Sequence, residues 1–80
     1  MNRNETIIDV EETSVNLKKI RLNRGLKVGD VQDFFGMENP QTIYYWESRK
    51  HKTLPTLDHL ILLARLYGTT LDELVIVKDL

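Results

Sequence analysis

The sequence predicts an all-α fold, a bundle of five helices within a single domain of 80 residues. Apolar residues recur at the i, i+3 and i+4 spacing of helices in successive segments. Capping residues and glycines mark where these segments begin and end, and the connections between them are short. Apolar residues make up 41% of the chain and charged residues 29%, as in an ordinary globular domain rather than a disordered chain.

Residues 1–13 are expected to form an N-terminal arm that is flexible or strand-like. The segment from Glu5 to Val10 is too short and too mixed to assign, although its β-branched residues allow a strand. A first helix is predicted from Val15 to Arg24, because Ser14 is a good N-cap and apolar residues follow at i, i+3 spacing. Gly25 is expected to end it, since glycine readily takes the left-handed conformation that follows a helix.

A second helix is predicted within residues 26–35, where the apolar residues share one helical face. These residues are Val28, Val31, Phe34 and Phe35. Gly36 is expected to end this helix. The third helix is predicted to begin almost at once, because Asn39 is a strong N-cap and Pro40 a favoured first helical residue. The turn between the two helices is therefore only a few residues long and contains glycine.

The last two helices are predicted beyond Pro55. The fourth helix has apolar residues at helical spacing and ends at Gly68; these residues are Leu57, Leu60, Ile61, Ala64 and Tyr67. The segment Thr70-Leu71-Asp72-Glu73 is a capping box, which opens a short fifth helix. Ile76-Val77 could finish that helix or leave it as a short extended piece. The helical domain is thus expected to span residues 14–76, followed by a tail of residues 77–80.

The second and third helices, joined by a tight glycine-containing turn, predict a helix-turn-helix, whose second helix lies in the DNA major groove. With Ile43 and Trp46 directed into the core, helical spacing places the other side chains on one outer stripe: Gln41, Thr42, Tyr45 and Arg49. Glutamine suits bidentate contact with adenine, and threonine or tyrosine can contact a thymine methyl group. A solvent-exposed helix also has a polar face, so this pattern alone leaves both interpretations open.

A basic loop follows the third helix, where a DNA backbone would run. The net charge of −1 does not exclude a polyanion partner, because the positive charges are concentrated in residues 18–27 and 49–52. Arginine, lysine, serine and helix N-terminal N–H groups commonly bind phosphates. The candidate backbone contacts are Asn39, Tyr44, Ser48, Arg49, Lys50 and Lys52. A solvated charge run remains the alternative interpretation of the loop.

Several other function classes find no support in the sequence. No cysteine is present, and His51 and His59 lie eight residues apart, a spacing that does not suit a metal site. Neither a glycine-rich phosphate loop nor a nucleophile elbow occurs. We therefore expect no catalytic residue, no metal, no cofactor and no enzyme activity. The lack of cysteine, of a long apolar run and of a secretory signal predicts a cytoplasmic protein without membrane contact.

From Leu17 to Leu74 the chain resembles the phage-repressor and Cro-like helix-turn-helix family, often called XRE. The motifs that carry the resemblance are Ile20-Arg21 … Gly25-Leu26, Val31 … Phe35-Gly36, Asn39-Pro40-Gln41-Thr42-Ile43-Tyr44-Tyr45-Trp46-Glu47, Leu54-Pro55 … Leu60 and Thr70-Leu71-Asp72-Glu73-Leu74. The resemblance implies a lambda-repressor-like fold. It also implies a transcriptional regulator of double-stranded DNA, in the first place a repressor. Family members usually bind two-fold symmetric operators, so a homodimer is expected.

The resemblance also implies roles for single residues. The first base contacts fall on Gln41 and Thr42, and the contact one turn later falls on Tyr45. The phosphate contacts that follow the helix fall on Arg49 and Lys50. The family further pairs an arginine of the first helix with the glutamate after the tryptophan; these residues are Arg21 and Glu47 here.

Departures from the family pattern affect the expected clamp on the DNA backbone. Val28 stands where the family has a phosphate-binding glutamine, and Arg49 where it has a glycine. Glu38 lengthens the turn before the third helix.

The second function class is an antitoxin-like interaction module, which binds a partner protein as well as DNA, with residues 1–13 as the candidate partner-binding arm.

Overall fold

The structure, a computed structural model, describes residues 6–79. Its elements, in chain order, are β1 (Thr6–Ile8), α1 (Val10–Asn23), α2 (Val28–Phe35), α3 (Gln41–Trp46), α4 (Leu57–Tyr67), α5 (Leu71–Leu74) and β2 (Val77–Asp79). Within the described residues there are thus five helices, as predicted, together with a two-stranded antiparallel sheet. The fold is mostly helical, and the prediction of a strictly all-α fold is wrong.

The sheet joins the two ends of the described chain. Ile7 of β1 pairs with Lys78 of β2, and the flanking pairs follow in antiparallel register. The Asp9 N–H donates to the Ile76 carbonyl at 2.8 Å and extends the ladder to the start of α1. The Thr13 hydroxyl then accepts from the Ile76 N–H at 2.9 Å. A strand needs a partner, and here the partner is some seventy residues away, so periodicity along the chain could not predict it.

The first helix begins earlier than predicted. Asp9 is its N-cap, since the carboxylate accepts from the Glu12 N–H at 3.1 Å. Ser14 is not the N-cap; it lies in the second turn, wholly buried, and its hydroxyl has no hydrogen-bond partner among the described residues. Aspartate caps as well as serine does, and Glu11 and Glu12 in the first turn complement the positive end of the helix dipole. Residues 1–5 of the predicted arm lie outside the described residues.

The turn between α2 and α3 is short, and Gly36 makes it possible. Gly36 has φ +67° and ends α2 in the left-handed conformation that glycine adopts without steric cost. Pro40 is the N-cap of α3, one residue later than predicted. The Asn39 side chain still supplies the capping bond, because its Oδ1 accepts from the Gln41 N–H at 3.0 Å.

The core is built from one face of each helix. Its buried side chains are Leu17, Val31, Ile43, Trp46, Leu60, Leu63, Ala64, Tyr67 and Leu74. Phe34 and Leu57, which belong to the apolar patterns that predicted α2 and α4, are 46% and 65% exposed. Leu57 is the first residue of α4 and Phe34 the last but one of α2, so each lies near the end of its helix. His59, which is partly buried, packs against both Phe35 and Trp46, with ring centroids 5.1 and 5.4 Å away.

Candidate nucleic-acid interface

Two buried side chains anchor α3 and direct its other face to solvent. Ile43 is 1% exposed and Trp46 is 4% exposed. The edge of the Phe35 ring packs on Trp46, with centroids 5.6 Å apart and planes at 78°. Because α3 has only six residues, these two anchors define its orientation. The opposite face is open, and its exposed residues are Gln41, Thr42, Tyr44 and Tyr45.

A buried ion pair ties the end of α3 to α1. The Arg21 guanidinium donates to both carboxylate oxygens of Glu47, at 2.8 and 3.0 Å, and also to the Leu26 carbonyl at 2.9 Å. The two side chains are only 7% and 6% exposed. The hydrogen bond to Glu47 raises the pKa of Arg21 above its usual value, against the opposing effect of burial. One side chain of α1 thus holds the residues just before α2 and just after α3.

The loop after α3 does not continue the helical stripe predicted for Gln41, Tyr45 and Arg49. The helix ends at Trp46, so Arg49 leaves this stripe and lies on a turn. The Tyr45 ring instead stacks on the His51 ring, with centroids 4.3 Å apart and planes tilted by 34°. His51 Nδ1 lies 3.0 Å from the Ser48 hydroxyl oxygen. His51 therefore supports a candidate base-contacting side chain.

The basic loop also contacts the acidic first turn of α1. Arg49 Nη1 donates to Glu12 Oε2 at 2.9 Å, and Lys52 Nζ lies 4.0 Å from Glu11 Oε2. Lys50 is exposed and forms no ion pair within residues 6–79. Nothing in the sequence distinguishes the three cations of the loop. In the structure Arg49 and Lys52 contact carboxylates and Lys50 does not, within the described residues.

The candidate contact residues differ in how close they lie to one another and in which of their groups are free to bind DNA. Exposed α3 side chains and the basic loop are adjacent through the stacking of Tyr45 on His51. The side-chain Oδ1 of Asn39 accepts from the Gln41 N–H at the start of α3, which leaves the side-chain NH₂ group able to donate to a phosphate. Val28 is partly buried against the core, and its apolar side chain cannot donate to a phosphate.

Three residues that contact the candidate site were not predicted from the sequence: Glu11, Glu12 and His51. Spacing along the chain carries no signal for the contacts of Glu11 and Glu12, because about forty residues separate α1 from the loop. His51 offered a weak signal, as the one aromatic residue in the loop that follows Tyr45.

Other kinds of site are not found in the described part of the chain. Residues 6–79 contain no cluster of three or more histidine, cysteine, aspartate or glutamate side chains able to hold a metal ion. Among the described helices, none has the length and apolar character needed to cross a bilayer.

Two short helices around a glycine turn, with the second anchored on one side and open on the other, define a DNA-binding helix-turn-helix protein. The model of the helix-turn-helix family matches residues 17–74, more than half of the chain. The protein therefore belongs to the XRE family of Cro- and repressor-like helix-turn-helix proteins, a family of DNA-binding regulatory domains. Searches among curated proteins and among solved structures found no match.

Proposed function

We propose that this protein is a sequence-specific transcriptional repressor that inserts α3 into the major groove of double-stranded DNA. The observation that carries the proposal is the open face of α3 opposite the buried Ile43 and Trp46. A groove about 12 Å wide accepts a helix whose outer side chains are exposed in this way. The repressor acts in the cytoplasm, where operator DNA is accessible to it.

Three residues of α3 contact base edges in this proposal. Gln41, in the first turn, presents an amide that can both donate to and accept from adenine. Thr42 lies beside it and contacts a base edge through its hydroxyl or methyl group. Tyr45 lies one turn further on, 38% exposed, with its ring held in place by His51. This support lowers the entropy cost of ordering the tyrosine ring on the DNA.

The flanking residues bind the sugar-phosphate backbone. Lys50 is the cation of the loop best placed for this role, because none of the described carboxylates pairs with it. Tyr44 and the Asn39 side-chain amide supply neutral donors on either side of α3. The Ser48 hydroxyl adds a third when it accepts, rather than donates, in its contact with His51 Nδ1. Arg49 and Lys52 contribute to the extent that their contacts with Glu12 and Glu11 open. Phosphate contacts of this kind set affinity and orientation but not sequence preference.

A homodimer on a two-fold symmetric operator completes the proposal. One α3 presents only three base-contacting side chains, which read a short half-site. Two copies bound to half-sites one helical turn apart, about 34–36 Å, would double the sequence read. Selection of binding sites from random duplex DNA tests this, because a dimer must enrich a palindrome with that half-site spacing.

The decisive experiment measures affinity for the selected duplex in variants of α3. Replacing Gln41 and Tyr45 by alanine should cost about 1–3 kcal/mol for each lost base contact and should reduce the preference over random DNA. Lys50→Ala should weaken binding to all duplexes alike and lower the salt slope by about one unit. Arg65→Ala, which removes an exposed cation from α4, is the control. Unchanged affinity in the α3 variants would refute the assignment of this face.

A second function is favoured by a groove on another part of the surface. The groove has a volume of about 380 Å³ and lies between the sheet, α4 and α5; its lining residues are Ile8, Leu57, Leu60, Leu71, Asp72, Val75 and Val77. A protein partner bound there would make this chain an antitoxin-like module. A stoichiometric partner that co-purifies with the wild type and is lost from Leu57→Lys would support that function. Leu57 is 65% exposed, so the charge should not disturb the fold.

A further inference from the structure

The acidic first turn of α1 faces the basic loop that follows α3. Arg49 donates to Glu12 at 2.9 Å, and Lys52 lies 4.0 Å from Glu11. All four side chains are between 46% and 66% exposed. The contact is therefore an open, solvated one at the protein surface, and a phosphate group can reach it.

We propose that Glu11 and Glu12 compete with the DNA backbone for Lys52 and Arg49, and that the first turn of α1 thereby limits the affinity for duplex DNA. This inference rests on the proposed function. A carboxylate and a phosphate accept from a guanidinium in the same geometry. One Arg49 Nη1–H group that donates to Glu12 is thus unavailable to the backbone until that bond opens.

The acidic turn cannot drift away from the loop, because α1 is held at its start. The Asp9 N–H donates to the Ile76 carbonyl at 2.8 Å, and the Thr13 hydroxyl accepts from the Ile76 N–H at 2.9 Å. Glu11 and Glu12 lie between these two attachment points. The carboxylates therefore remain beside the loop when DNA approaches. At physiological ionic strength the screening length is about 8 Å, so they also repel a phosphate bound nearby.

The loop thus contains two kinds of cation. Lys50 has no carboxylate partner within residues 6–79, whereas Arg49 and Lys52 each have one. Lys50 can neutralise a phosphate directly. Arg49 and Lys52 must exchange a carboxylate for a phosphate. This exchange lowers the binding free energy gained from each phosphate contact and the number of counterions that binding releases.

A double-mutant cycle tests the proposal by fluorescence anisotropy on a selected duplex, over a range of salt concentrations. The four proteins are the wild type, Glu12→Gln, Arg49→Ala and the double variant. Glu12→Gln should bind about two- to fivefold more tightly, the range expected for an exposed ion pair. Its salt slope should rise by about 0.9 if Arg49 gains one phosphate. In the Arg49→Ala background the same substitution should produce less than half of that gain.

The control variant is Asp72→Asn, which removes one negative charge from α5 without touching the loop; its affinity should stay at the wild-type value. Equal gains from Glu12→Gln in both backgrounds would overturn the proposal, because Glu12 would then act by general repulsion. Weaker binding by Glu12→Gln would also overturn it, since Glu12 would then orient Arg49 toward the DNA. A wild type that binds no duplex would refute the proposed function itself, a result distinct from tight binding without coupling.

Discussion

The buried pair Arg21–Glu47 offers the strongest test of how this fold is held together, through the substitution Glu47→Ala. The substitution removes both carboxylate acceptors of a guanidinium that is only 7% exposed. Breaking a buried ion pair from one side costs about 3–5 kcal/mol, because a charge is left without its partner. Arg21 keeps its bond to the Leu26 carbonyl at 2.9 Å. We therefore expect a loss of about 3 kcal/mol, at the lower end of that range.

This loss is large for a small domain. A chain of this size has a free energy of unfolding of about 4–12 kcal/mol. With a urea m-value of about 1 kcal/mol/M, the midpoint should fall by about 3 M. Trp46 is a suitable probe, because it is the one tryptophan of the chain, is 4% exposed and immediately precedes Glu47. Far-UV circular dichroism measures the helices independently.

Two controls separate burial from charge. Glu12→Ala breaks the exposed pair with Arg49 and should cost less than about 1 kcal/mol. The double variant Arg21→Met with Glu47→Leu should recover much of the loss, because apolar residues of similar volume can replace a buried pair. If Glu47→Ala changed the free energy of unfolding by less than about 1 kcal/mol, the pair would not hold the end of α3 to α1.

Three further predictions concern local features. Ser14→Ala should be neutral or stabilise the fold by up to about 1 kcal/mol, because the buried hydroxyl has no hydrogen-bond partner among the described residues. Asp9→Ala should cost about 1 kcal/mol, because it removes the N-cap of α1. Urea titration of both variants would show the opposite order if Ser14 were the cap. Burial, and then the charge of Glu47, raise the pKa of Tyr67. The unfolded tyrosine ionises near pH 10 while the folded one stays neutral. The contribution of Tyr67 to the free energy of unfolding is thus fully present below pH 10 and is lost as the pH rises further. The melting temperature of the wild type should therefore fall between pH 8 and pH 11, and that of Tyr67→Phe should fall less. Gly36→Ala should cost about 1 kcal/mol because φ is +67°, whereas Gly29→Ala, at an open helical position, should be neutral or stabilising in the same urea titration.

Local sequence patterns were enough to predict that five helices form and which face of α3 meets solvent. The spacing of Ile43 and Trp46 is local, and the same is true of Gly36 and the capping side chain of Asn39. A helix satisfies its hydrogen bonds within four residues, so its pattern can be recognised within a short stretch of sequence. The resemblance to a known family added Arg21 and Glu47, which spacing could not connect.

The contacts between distant segments could be seen only in the folded protein. The pairing of β1 with β2 and the choice of Asp9 over Ser14 as the N-cap depend on where Ile76 lies. The contact of Glu12 with Arg49 depends on how α1 packs beside the loop. Such contacts form because packing the common core brings together groups that are far apart in the chain. No local pattern indicates which carboxylate a given arginine will contact. In this protein the packing of α1 beside the loop determines which cations of the loop are already paired.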